Sequence, residues 1–78
     1  MFDYRLLRGK IKAEGKTEAE VAKEIGMTAP SLSMRFNGIM EFRQSEIWRM
    51  CETLNIKPEE MAGYFFTAKV QETEAAAN

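Results

Sequence analysis

The fold is decided by residues 21–38, VAKEIGMTAPSLSMRFNG, which predict two helices joined by a short turn. The first helix begins a little earlier, at the capping box formed by residues 17–20, TEAE, in which Thr and Glu side chains satisfy free backbone N–H groups. Gly26 supplies the positive φ that ends a helix, and Thr28 is the predicted N-cap of the second helix, which runs to Asn37. Two helices joined in this way are typical of a helix-turn-helix.

The rest of the chain is also predicted to be helical, because apolar residues recur at spacings of three and four and only two Pro are present. The expected fold is all-α, with five helices around the central helix-turn-helix. The three outer helices are predicted from Asp3 to about Glu14, from near Ser45 to Asn55, and from Pro58 to Phe66. Residues 1–66 are expected to form one domain and residues 67–78 a flexible tail.

Composition excludes several classes of function. The chain has 78 residues, no His and a single Cys, so the usual zinc sites and His-based catalytic triads are not expected. A domain of this size fills one modest core and leaves no room for a deep small-molecule pocket. No apolar run is long enough to span a membrane, and Cys51 falls on an apolar helical stripe. We therefore predict a cytoplasmic protein that is not an enzyme, with no metal, cofactor, small-molecule substrate or membrane partner, in which Cys51 is buried.

The charge pattern singles out the third helix. The net charge is -1, yet no acid occurs between Gly26 and Met40, where Arg35 is the only charged residue. The outward face of the helix is small or uncharged, whereas a helix exposed only to water normally carries Glu and Lys. It consists of Ala29, Pro30, Ser33, Met34 and Asn37. This face is expected to contact a partner.

Residues 21–38 resemble the helix-turn-helix of phage repressor and Cro-type DNA-binding proteins. The stretch LNIKPEEM, residues 54–61, is similar to the join between the fourth and fifth helices of lambda-repressor-like domains. The opening MFDY, the pattern LxGKI and the ending YFFTAKV are similar to a group of small Gram-positive phage regulators. The resemblance covers roughly residues 2–70 and implies a five-helix domain that binds palindromic operator DNA as a homodimer.

With the third helix in the major groove, its N-terminal half would meet base edges and neighbouring groups would meet phosphates. The expected base contacts are Thr28, Ala29, Pro30, Ser31, Ser33 and Met34. The expected phosphate contacts are Thr17, Arg35, Asn37, Gly38 and Arg43. Ser31 could instead cap its own helix, and Arg35 could be a solvated charge.

A single copy offers few phosphate contacts, so operator binding is expected to need a homodimer. Its predicted interface is aromatic and comprises Trp48, Tyr64, Phe65 and Phe66. The competing interpretation places these four side chains in the core against Phe2 and Tyr4.

An alternative function also fits the weak net charge. In that interpretation the chain is an antirepressor-like helical module, and the acid-free face of the third helix binds another regulator protein rather than DNA.

Overall fold

The computed structural model describes residues 1–69, which form five α-helices and one 3-10 turn. The helices are α1 (Arg5–Ala13), α2 (Glu18–Glu24), α3 (Ala29–Phe36), α4 (Gln44–Leu54) and α5 (Met61–Phe65), and the 3-10 turn Pro58–Glu60 precedes α5. No strand occurs in this part of the chain. The predicted all-α class and the number of helices are confirmed.

The ends of the chain segment that the structure describes lie side by side. Phe2 and Ala68 form an isolated antiparallel bridge, and the Asp3 amide donates to the Thr67 carbonyl at 2.7 Å. The first residue of α1 is Arg5 and its N-cap is Tyr4, one residue later than the predicted N-cap Asp3. Asp3 still contributes to the helix start, because its Oδ1 accepts from the Arg5 amide at 3.0 Å.

The core is formed by side chains from all five helices. Leu7 and Ile11 of α1, Leu32 of α3 and Met50 of α4 are at most 1% exposed. Cys51 is buried, as predicted, and burial raises the pKa of its thiol above its ordinary value.

An aromatic cluster closes one end of this core. Tyr4, Phe36, Phe42 and Phe65 make tilted or edge contacts, with ring centroids 5.4 to 5.9 Å apart. Phe42, in the segment between α3 and α4, thus contacts both Tyr4, just before α1, and Phe65 of α5.

The predicted boundary between domain and tail at residue 66 stays a prediction. Residues 67–69 continue beside residues 1–3, and residues 70–78 of the predicted tail lie outside the described residues. In residues 1–69, the longest helix is α4, with 11 residues, and none of the helices has the length and apolar character that a membrane crossing requires.

Candidate functional site

The turn before α3 determines where this helix begins and how it is oriented. Gly26 has φ +82°, a left-handed conformation that a residue with a Cβ rarely adopts, and the Ile25 carbonyl beside it accepts from Arg49 Nη1 at 3.3 Å. Thr28 then caps α3, since its Oγ1 accepts from the Ser31 amide at 3.3 Å and donates to Ser31 Oγ at 3.0 Å. The side chain that caps α3 is thus that of Thr28, and the Ser31 hydroxyl accepts from it.

The outer side of α3 continues into the residues that follow it. The Ile39 and Met40 amides donate to the Met34 carbonyl at 2.9 and 3.4 Å, which folds these two residues back onto the end of the helix. Ile39 is 71% exposed and Met40 is 41% exposed. We call this uncharged region the α3 surface; it comprises Ala29, Pro30, Ser33, Met34, Asn37, Gly38, Ile39 and Met40.

Arg35 points into the protein, and the prediction that it contacts phosphate is not compatible with this placement. It is 6% exposed. Its Nε and Nη2 donate to the two carboxylate oxygens of Glu46 at 2.9 and 3.0 Å, and Nη1 donates to the Ser31 carbonyl at 2.9 Å. The only cation of α3 is thus neutralised within the domain, and the α3 surface has no positive charge of its own.

The ion pair also affects the titration of Glu46. Partial burial raises its pKa, but hydrogen bonds from the Arg35 guanidinium and the Arg43 amide outweigh this and lower the pKa below the usual 4.5. Asp3 shifts in the same direction, to a pKa of about 2, because the Arg5 side chain and amide donate to it.

Acid is therefore expected to destabilise the domain. A carboxylate whose folded-state pKa is lowered contributes fully to stability at neutral pH, and the contribution is lost as the pH falls from about 4.5 through the folded-state value. Since the chain has no His, stability should change little between about pH 5 and 7. Urea unfolding at a series of pH values tests this, with Glu46→Gln expected to reduce the acid sensitivity. Constant stability down to about pH 3 would contradict the expectation.

The other residues predicted to contact phosphate occupy separate positions. Thr17 caps α2, where its Oγ accepts from the Glu20 amide at 3.1 Å while Glu20 Oε1 accepts from the Thr17 amide at 2.9 Å. The capping box is thus confirmed. Arg43 is exposed at the start of α4, and its amide donates to Glu46 at 2.8 Å. Gly38 adopts φ +76° at the end of α3, and a Cβ there would lie 2.6 Å from the Met1 methyl carbon.

The four predicted interface aromatics do not form one surface. Phe65 is 1% exposed and belongs to the core, which contradicts its predicted role in a dimer interface. Tyr64 is half-buried and packs against the same core. Phe66 is 49% exposed and its ring lies 5.6 Å from that of Phe2, whereas Trp48 is 60% exposed on α4 beside Cys51.

Sequence reasoning missed two features of this region. The first is the inward direction of Arg35, although its position with Leu32 and Phe36 at i, i+3 and i+4 places it on the inner stripe. The second is the exposure of Ile39 and Met40. The only sequence signal for it is that the two residues lie between Gly38, which ends the helix, and the charged residue Glu41.

No group of three or more potential metal-ligating side chains occurs in residues 1–69. The chemistry available at the α3 surface is therefore apolar contact with a few hydroxyl and amide groups. It is suited to contact with another surface.

Comparison with known proteins identifies a family and a similar solved structure. Residues 1–68 match the family described as "Protein of unknown function (DUF739)". The fold is similar to the solution structure of the modulator of repression (MOR) of the temperate bacteriophage TP901-1 from Lactococcus lactis. The TM-score is 0.73 with 30% sequence identity, covering 90% of this chain and 95% of the other. A search of curated proteins finds no match.

These matches correct the assignment to phage repressor and Cro-type proteins. The similar structure is that of a modulator of repression, and neither match is to a lambda-repressor or Cro-type domain. The predicted partner, operator DNA bound by a homodimer, is overturned with that assignment. The placement of Arg35 supplies a physical reason, because α3 has no free cation for phosphates.

Proposed function

Since the chain belongs to the DUF739 family and is related to a modulator of repression from a temperate phage, we propose that it regulates phage repression by binding a regulator protein. The α2–turn–α3 unit is, in this proposal, a helix-turn-helix that serves protein binding. No catalysis is needed, and the chain acts in the cytoplasm with the repressor that it binds.

The observation that carries the proposal is the character of the α3 surface. It combines exposed Ile39 and Met40 with the small side chains of Ala29 and Pro30 and contains no charged residue. Contiguous exposed apolar groups are typical of protein contact sites, whereas surfaces that bind DNA are rich in Lys and Arg. Because Arg35 is buried and paired with Glu46, the α3 surface lacks the cation that contact with phosphate would require. This also favours a protein partner.

A binding experiment with two arms tests the proposed function. In one arm, the full chain is titrated by calorimetry into the repressor encoded in the same phage genome; in the other, into that repressor's operator duplex. We expect a complex with the repressor whose affinity falls far less steeply with salt than that of an operator complex, because apolar contact dominates it. No binding to the duplex is expected.

Two results would contradict the proposed function. One is the absence of a complex with the repressor. The other is binding to the duplex that weakens log-linearly with salt, which is the signature of counterion release from phosphates.

A further inference from the structure

A cleft of about 420 Å³ opens beside the C-terminal end of α3. Phe36 and Asn37 form one side, and the other side is formed by residues of α1 and of the chain's first segment. The cleft adjoins the α3 surface, because Asn37 belongs to both and the Met1 side chain lies against Gly38. A partner bound to the α3 surface would therefore reach the cleft.

Arg8 is the distinctive side chain in this cleft. Its guanidinium carbon lies 4.8 Å from the centroid of the Phe36 ring, and its Nε lies 3.3 Å from Glu18 Oε2. The Nε is buried without a hydrogen-bond partner, and the Arg8 side chain donates no hydrogen bond to any residue in 1–69. The side chain is nevertheless 42% exposed, so its remaining N–H donors are available to a ligand.

The charges that line the cleft favour an anion. Three of its lining residues are cationic, namely Arg5, Arg8 and Lys69, and one is acidic, Asp3. The carboxylate of Asp3 is already engaged, because Arg5 Nη2 donates to it at 2.7 Å. Glu18 lies outside the lining but offsets part of the charge of Arg8, so the cations in and beside the cleft, Arg5, Arg8 and Lys69, exceed the two acids Asp3 and Glu18 by one.

The rim of the cleft is apolar. Met1 is 74% exposed and Phe2 is 43% exposed, and both line the cleft. A guanidinium can donate to the oxygens of a carboxylate, and the exposed apolar side chains beside it can contact apolar residues. The cleft is therefore suited to a carboxylate that has apolar neighbours in its own chain.

We propose that the cleft receives an Asp or Glu side chain from the regulator protein, with Arg8 donating to the carboxylate and Met1 and Phe2 contacting apolar residues beside it. This inference rests on the proposed function and specifies the partner's chemistry at that site. A protein carboxylate fits better than a DNA phosphate, because the apolar rim formed by Met1 and Phe2 would face a solvated sugar-phosphate backbone in a DNA complex.

Peptide selection tests this inference without knowledge of the regulator. A random peptide library is selected on the immobilised full chain, and the enriched peptides are synthesised together with versions in which each acid is replaced by its amide. We expect enriched peptides to contain Asp or Glu next to apolar residues. Arg8→Gln should weaken their binding at least tenfold, measured by fluorescence anisotropy, and should have no further effect on the amide versions.

Three variants control the interpretation. Lys12→Gln removes the same charge one turn further along α1, outside the residues that line the cleft, and should leave peptide binding within about twofold. Arg8→Lys keeps the charge without the planar fork and should give an intermediate loss. Glu18→Gln removes the acid nearest Arg8 and should strengthen binding of the acidic peptides slightly.

The inference is overturned by any of three results: no enrichment, enriched peptides without acids, or equal binding by the wild-type and Arg8→Gln chains. Binding of duplex DNA that depends on Arg8 would also overturn it, because the cleft would then be a phosphate site. A repressor complex in the calorimetric experiment together with failure here would reject the cleft assignment and leave the proposed function standing.

Discussion

Ile39→Asp is expected to weaken binding of the regulator protein by at least about thirtyfold, which corresponds to about 2 kcal/mol, a typical loss at a central contact residue. Ile39 is 71% exposed beside α3, so the substitution puts a charge into the middle of an apolar contact without disturbing the core. Calorimetric titration of the repressor with wild-type and variant chains gives the change in affinity.

Leu6→Asp is the matched control for this variant. Leu6 is 62% exposed on α1 and is also apolar, but it lies outside the α3 surface. Its replacement should change affinity by less than about twofold, because scattered surface changes away from an interface have small effects. Equal losses in both variants, or an unchanged affinity for Ile39→Asp, would show that the α3 surface is not the contact site.

Glu46→Ala is expected to lower the free energy of unfolding by about 3 kcal/mol, because it leaves the Arg35 guanidinium buried without its carboxylate. A small domain has a total stability of about 5 to 15 kcal/mol, so this is a large fraction. Urea unfolding followed by circular dichroism measures the change.

Two further variants show whether the loss of stability in Glu46→Ala comes from the buried ion pair. Glu24→Ala breaks an exposed pair in which Lys16 Nζ lies 2.6 Å from Glu24 Oε1, and it should cost at most about 1 kcal/mol. Combining Arg35→Met with Glu46→Leu replaces the buried pair with apolar side chains and should restore most of the lost stability. A loss in Glu46→Ala no larger than that in Glu24→Ala would mean that the Arg35–Glu46 pair behaves as a surface pair.

Local signals predicted the helices well. The capping residues Thr17 and Thr28 and the positive φ of Gly26 each depend on neighbouring residues only, and the structure confirms all three. The start of α1 was less predictable, because the Asp3 amide donates to the carbonyl of Thr67, which is distant in sequence.

The candidate site depended on long-range partners and was predicted less well. Arg35 appeared to be a surface cation because its partner, Glu46, lies 11 residues away on another helix. The adjacent aromatics Tyr64, Phe65 and Phe66 could not be divided between core and surface from spacing alone, since the short α5 packs on α1 through only part of its surface. The resemblance to repressor proteins followed the local helix-turn-helix pattern, which does not distinguish a DNA-binding surface from a protein-binding one.

Nuclear magnetic resonance mapping shows directly whether the α3 surface binds the regulator protein or DNA. The full chain, labelled with ¹⁵N, is titrated with the repressor from the same phage genome and, separately, with that repressor's operator duplex. We expect the repressor to shift or broaden the amide signals of residues 29–40 and the duplex alone to leave them unchanged. Perturbation of those amides by the duplex alone, or repressor effects confined to residues outside the α3 surface and its adjoining cleft, would contradict this expectation.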